Sequence, residues 1–248
     1  MAKPPSEILA EGLQAPAPRR RRRRFTWLWW IFRPLFVGLF RFGLICIVLT
    51  LLLRFANPPA TFTMVQAYWT LGPVQYDWVD INDMSAHLPR AAAAAEDANF
   101  CLHTGFDLAA IKAALAEDDR VRGGSTISQQ TAKNVFLWQG RNWLRKGLEA
   151  GFTVLIEAIW GKKRIMEVYL NVAEFGEGIF GVRAASLHYF GIEPSELGQQ
   201  QAAALMAVLP DPKDRSPVKL TNFMRSQVRR IVGGSGTIRG DGRSDCFE

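Results

Sequence analysis

The sequence predicts a mainly α domain behind a single N-terminal membrane-spanning helix. Three observations carry that expectation. Leu35–Leu53 is almost wholly apolar, apolar residues recur at helical spacing through much of the remainder, and strand-like alternation is scarce. A chain of 248 residues suits one domain of ordinary size plus an appendage. The formal net charge of +7 would suit a nucleic-acid partner, but its location argues otherwise. Residues 1–34 carry +6, and Arg41 with Arg54 brings the count to +8, which leaves −1 for residues 56–248. The basicity belongs to the tail, and nucleic-acid binding is disfavoured.

Residues 1–34 read as a cytoplasmic basic tail with interfacial aromatics. Pro4, Pro5, Pro16 and Pro18 precede the run Arg19–Arg24, and Trp27, Trp29 and Trp30 follow at once. A proline-rich, charged stretch cannot build a core. Aromatics beside a basic cluster and ahead of an apolar run suit a membrane interface better than a nucleic-acid motif. Residues 35–55 are then the anchor. The nineteen residues Leu35–Leu53 span roughly 28 Å as a helix, close to a hydrocarbon core of about 30 Å. Arg41 at mid-helix would cost ~2.5–3.5 kcal/mol, yet it lies in the first third and can snorkel toward the side of Arg33. A cleaved signal peptide is the competitor, but this apolar run is longer than its usual core. The positive-inside bias places the N-terminus in the cytoplasm and the remainder outside.

Residues 56–232 form the main domain. Asn57-Pro58-Pro59 to Pro89 reads as a linker with short mixed elements, and Ala91–Ala95 as a helix stem that Gly105 can stop. Asp107 is placed to cap a helix carrying Ile111, Ala114 and Leu115. Thr126-x-x-Gln129 matches a capping box, whose helix N-terminus would offer N–H groups to an anion. Phe152 to Ile159 has core spacing, whereas Trp138 and Trp143 around Gln139-Gly140-Arg141 suit a water–lipid interface. Leu197–Leu209 is a helix stopped by Pro210 and Pro212. Residues 233–248, Gly-rich and charged, read as a disordered tail. Cys46, Cys101 and Cys246 give no framework, and a Cys101–Cys246 pair stays open. His87, His103 and His188 lack metal-ligand spacing, so no His or Cys metal site and no cofactor is expected.

The chemistry-bearing stretch is Glu96-Asp97-Ala-Asn-Phe100-Cys-Leu-His103-Thr-Gly105-Phe-Asp107. Alone, such an acidic pair is most often a solvated helix end. At the end of an apolar helix, however, partial desolvation would raise a carboxyl pKa toward the range of proton transfer. Further motifs follow in order: Gly124 to Gln130 with Lys133-Asn134, Arg145-Lys146-x-x-Glu149, Lys162 to Asn171, and Gly178 to Phe190. The ordered set, over roughly residues 60 to 220, resembles the peptidoglycan glycosyltransferases, which polymerise lipid-linked disaccharide into glycan strands.

The resemblance implies a lysozyme-like fold and, with no transpeptidase domain after Pro210, a monofunctional member with no transpeptidase activity. It implies lipid II and the nascent glycan strand as substrates, and a bacterial inner-membrane enzyme with a periplasmic catalytic domain. Cell-wall synthesis or division proteins are the partners it leaves room for. Glu96 is the candidate base, with Asp97 beside it and Glu149 as the second carboxylate. His103, Thr126, Gln130, Lys133, Asn134, Arg145 and Lys146 are the candidate substrate contacts, the lysines facing pyrophosphate. A divalent cation at that pyrophosphate is left open. Two rivals remain, a lytic glycosidase on the same broad fold and a catalytically inactive membrane scaffold. A glycosidase has no use for the Lys133, Arg145 and Lys146 cluster, and a scaffold none for Glu96 and Glu149 together.

Overall fold

The computed structural model describes residues 26–109, 112, 124–140 and 142–248. The arginine run 19–24, Ile111, Ala114, Leu115, Gly123 and Arg141 lie outside the described residues. Helix α1, Thr26–Phe55, contains the apolar stretch Phe32–Phe55, 24 residues with mean hydropathy 2.5. At about 1.5 Å per residue that is long enough to cross a hydrocarbon core. Among the described residues, those up to Ile45 form one compact unit and those from Cys46 to Glu248 the other. Within the second unit, Trp160 Nε1 donates to Thr50 O at 2.8 Å, and Arg164 Nη2 donates to Leu53 O and Ala56 O at 3.0 and 2.9 Å. Arg164 thereby satisfies carbonyls that a helix end otherwise leaves open.

Helix α2, Phe62–Leu71, occupies part of what reads in the sequence as a linker. Its cap is unusual: Thr61 Oγ1 accepts Met64 N, while Met64 Sδ accepts Thr61 N. Helix α3, His87–Glu96, buries Leu88, Ala91, Ala92 and Ala93, and it stops at Asp97 rather than at Gly105. Between them the chain turns through a 3-10 segment, Phe100–Leu102, to Gly105 at φ +92. A Cβ at Gly105 would lie 2.8 Å from Thr153 Cγ2, so glycine is needed there for both conformation and space.

Helices α4 (Ile127–Phe136), α5 (Trp143–Ile159) and α6 (Lys162–Val172) pack on one another. Phe136 stacks on Phe152 at 4.3 Å, tying α4 to α5. The inward stripe of α5 begins polar, Arg145 and Glu149, and continues apolar, Phe152 and Ile156. One helix therefore serves the site at its start and the core at its end. Helix α6 buries Ile165 to Val172 apart from Glu167, as a central helix must. A small sheet follows, β1 (Gln75–Tyr76) parallel to β3 (Ile179–Phe180), which pairs antiparallel with β2 (Glu174–Gly176). Gly181 at φ +81 lets the backbone pass α6, since a Cβ would lie 2.6 Å from Asn171 O.

Helices α7 (Val182–Phe190), α8 (Gln199–Val208) and α9 (Asn222–Gly240) complete the domain, with α3 packed on both α8 and α9. Helix α9 corrects the expected disordered tail at 233–248. Its Ile231, Ser235 and Ile238 are buried at helical spacing, and a Cβ on Gly234 would sit 3.2 Å from Ala94 Cβ. Glycines that read as flexibility let two helices approach. Beyond α9, Cys246 is disulfide-bonded to Cys101, and Phe247 is 1% exposed.

Candidate active site

Glu96 and Asp97 are adjacent in sequence but serve different neighbours, because the helix ends between them with Asp97 at φ −160. Glu96, half-buried, accepts Gln130 Nε2 at 2.8 Å. Burial pushes its carboxyl pKa up, opposed by the Gln130 bond and the Lys133 charge and reinforced by Asp97. Asp97 is buried against the start of α4, where its Oδ2 accepts Ile127 N at 3.0 Å. His103 Nε2 lies 2.9 Å from its Oδ1. The anion at this helix N-terminus is thus the protein's own carboxylate, which corrects the expectation of a free anion site there.

The same clamp occupies two further predicted contacts. Thr126 forms the predicted capping box, with Gln129 N to Thr126 Oγ1 at 3.2 Å and Thr126 N to Gln129 Oε1 at 3.0 Å. Its hydroxyl also donates to Gly105 O at 2.6 Å. Thr126 and His103 therefore hold the loop around Asp97 instead of facing open space. Asn99 Nδ2 adds a bond to Asp107 Oδ2 at 3.0 Å.

Gln130, Lys133 and Asn134 line a cleft of about 410 Å³ together with Thr63, Gln139 and Tyr169. Lys133 has its pKa lowered, mainly by desolvation. Glu149 and Glu96 hold its proton, while Arg145 and Lys146 loosen it. One ammonium is thus electrostatically in touch with both candidate carboxylates and both other cations. Glu149 is 3% exposed, and it accepts Arg145 Nη1 at 2.9 Å and Lys146 Nζ. This is a buried junction, unlike the surface pair that i,i+4 spacing alone suggests. Asn142, Trp143, Arg145 and Lys146 line a second recess of about 300 Å³. Arg145 Nε is buried without a hydrogen-bond partner among the described residues.

A family model for transglycosylases matches residues 64–234. The chain belongs to the transglycosylase family. A protein of Jannaschia sp. is 45% identical over 218 residues, covering 88% of this chain and 89% of its own. Relatives in Caulobacter vibrioides and Xanthomonas euvesicatoria are each 47% identical, covering 81% and 94% of this chain and 89% and 98% of their own. All three are called biosynthetic peptidoglycan transglycosylase. The transglycosylase is accordingly a glycosyl-transferring enzyme of mainly α, lysozyme-like fold.

Thr63 and Gln139 line the candidate site without a local sequence signal. They reach the cleft from segments that read as linker and turn, joined by Gln139 Nε2 to Thr63 Oγ1 at 3.1 Å. Glu157 is a further, half-buried carboxylate, which accepts Ser128 Oγ and Lys162 Nζ, while Lys162 also lies 4.3 Å from the Phe100 ring. Tyr169 OH lies 3.5 Å from Gln130 Oε1, and burial holds its phenol well above its ordinary pKa, so it stays protonated. Asn171 brackets Val79 N and O at 2.9 Å each, a structural task. Ser216 and Lys219 have the Ser-x-x-Lys spacing of acylating enzymes, but on irregular chain with Lys219 exposed. No helical face brings them together there.

Proposed function

We propose that the protein polymerises lipid-linked disaccharide-peptide, lipid II, into the β-1,4 glycan strands of peptidoglycan and releases the polyprenyl diphosphate carrier. The acceptor 4-hydroxyl attacks C1 of the donor, Glu96 takes the hydroxyl proton, and the C1–oxygen bond to diphosphate breaks. Lys133, Arg145 and Lys146 answer the charge that grows on the leaving group. The observation that carries this reading is the cleft itself: Lys133 lines it beside Gln130, whose amide donates to Glu96 at 2.8 Å, and the Lys133 charge is felt by Glu96 and Glu149 alike. It ties the proton acceptor to the cations in one site. The unpartnered Arg145 Nε and the peptidoglycan names of the relatives support it further. We assign the chemistry to side chains with no resident cofactor and no acyl-transfer step. A divalent cation would belong to the substrate pyrophosphate, and rates with magnesium and with chelator measure its share.

Incubating the detergent-solubilised full chain with lipid II and measuring product length tests the reading. Polymer supports it, cleaved glycan would indicate a lytic glycosidase, and no product a scaffold. The topology that fits is a cytoplasmic N-terminus in the inner membrane with the site in the periplasm. Alkaline phosphatase fused after Glu248 should then be active in cells, and an inactive, expressed fusion would reverse the orientation.

The membrane contact extends beyond the anchor in this reading. Trp143 is 92% exposed and its neighbour Leu144 70%, whereas Trp138 packs half-buried on the core. The interfacial role therefore rests on Trp143 and Leu144. Trp143→Ser with Leu144→Ser should weaken liposome binding of the domain freed from α1, with the melting temperature unchanged. Undiminished binding would remove both residues from the interface.

A further inference from the structure

Residues 241–248 lie beyond the stretch matched by the family, 64–234, yet they are fastened to the loop that follows Glu96 and Asp97. Arg243 Nη1 donates to Ala98 O at 3.2 Å and to Asn99 Oδ1 at 3.4 Å. Asp241 holds the same guanidinium, with Nη2 to Oδ2 at 2.7 Å. Cys246 is bonded to Cys101, and the Phe247 ring lies 6.2 Å from that of Phe100. The far end is pinned as well. Glu248 Oε1 accepts Arg90 Nε from α3 at 2.6 Å, and Glu248 O accepts Lys163 Nζ from α6 at 3.2 Å. The Arg90 bond pulls the Glu248 carboxyl down to about 2, so this anchor is ionised at any pH where the enzyme works.

Four consecutive loop residues, Ala98, Asn99, Phe100 and Cys101, are therefore each held by this one segment. They directly follow the carboxylate that takes the proton and the carboxylate that caps α4. We propose that residues 241–248 are a strap that positions the Glu96–Asp97 loop, with Arg243 as a positioning residue and the Cys101–Cys246 disulfide as its thiol-reducible lock. The inference rests on the assignment of Glu96 as base. Local bonds such as Asn99 to Asp107 fix parts of the loop, and among the described residues the Cys101–Cys246 bond joins it covalently to a segment 145 positions on.

Release follows ordinary thiol–disulfide exchange with a dithiol. A thiolate attacks Sγ of Cys101 or Cys246, the S–S bond breaks, and the second thiol resolves the mixed disulfide. Two electrons and two protons end on the cysteines, and the dithiol becomes a cyclic disulfide. Both cysteines are half-buried, so the bond is within reach of a small reductant. In an oxidising compartment the lock stays closed.

The test uses the full chain in detergent with lipid II, oxidised and after dithiothreitol. Reduction, or Cys101→Ser with Cys246→Ser, should lower kcat about three- to tenfold at unchanged KM, the signature of a displaced reacting group whose binding contacts remain. The double variant should no longer respond to dithiothreitol. Arg243→Ala should lower kcat similarly, and Arg243→Lys should recover much of it by reaching one of the two acceptors. Amide exchange at Ala98–Leu102 should quicken in every released form, a readout that needs no polymer. Unchanged kcat well below the melting temperature, with unchanged exchange at Ala98–Leu102, would reduce the strap to a staple for stability. If the oxidised wild type makes no polymer, the base assignment fails, and amide exchange alone decides whether the strap holds the loop.

Discussion

Glu96→Gln should leave a folded protein that binds lipid II and polymerises ~10²–10⁴-fold more slowly, the range for one acid–base group. Glutamine keeps the volume, and its Oε1 can accept the same bond that Gln130 Nε2 gives the carboxylate. What it cannot do is take a proton. The stability change has a definite sign. Burial raises the Glu96 carboxyl above its ordinary pKa, so the ionised form costs the folded state. That cost is fully present above the folded pKa and vanishes as pH falls below the unfolded value. At neutral pH the variant should melt no lower than wild type, and any gain should fade on acidification. In wild type, kcat/KM should fall on the acid side with a limb above the usual carboxylate range. A folded variant that polymerises at the wild-type rate would move the base to Glu149.

Asp97→Asn affords a useful contrast. Its carboxylate caps α4 and faces His103, so its loss should lower both the rate and the melting temperature. A group that acts on substrate and a group that holds the loop are thereby separated by one measurement.

The long apolar helix α1, α8 and the Thr126 capping box were legible because each signal is local: an apolar run, a helix closed by prolines, and a four-residue pattern. Helix α2 was not, because its cap uses Met64 sulfur where a readable box has Glu or Gln, and its sequence is rich in aromatic and β-branched residues. The Glu96-Asp97 pair was found as a pair, but the division of labour between them depends on Ile127, thirty positions on, which no local pattern announces. The Gly233-Gly234 stretch misled for a similar reason. Its meaning lies in Ala94 of another helix. The cations behaved differently: Lys133, Arg145 and Lys146 are spread over two helices, yet the resemblance put them in one site, and the electrostatics couple them there.

Lys133→Gln should bring the other large loss, ~10²–10³-fold in kcat/KM, because it removes a preorganised cation from the developing diphosphate charge. Three cations, Lys133, Arg145 and Lys146, surround two carboxylates, Glu96 and Glu149, which leaves a positive excess for an anionic leaving group. Lys133 is the member that is both partly desolvated and on the wall of the Gln130 cleft, where its charge is not tied up in a hydrogen-bonded pair as that of Arg145 is with Glu149. The substitution carries a second, separable signature. The Lys133 charge lowers the Glu96 pKa, so without it that pKa rises further and the base is protonated over a wider range. The acid limb of kcat/KM should therefore move to higher pH. Lys133→Arg keeps the charge and should return the limb to its wild-type position, though a planar fork in place of a compact ammonium restores only part of the rate. The Glu149 junction keeps Arg145 and Lys146, so the fold should tolerate both changes. Steady-state rates between pH 5 and 9 on the three proteins decide the matter. A limb that stays in place in Lys133→Gln would uncouple this lysine from the base, and an undiminished rate would remove it from the leaving-group site.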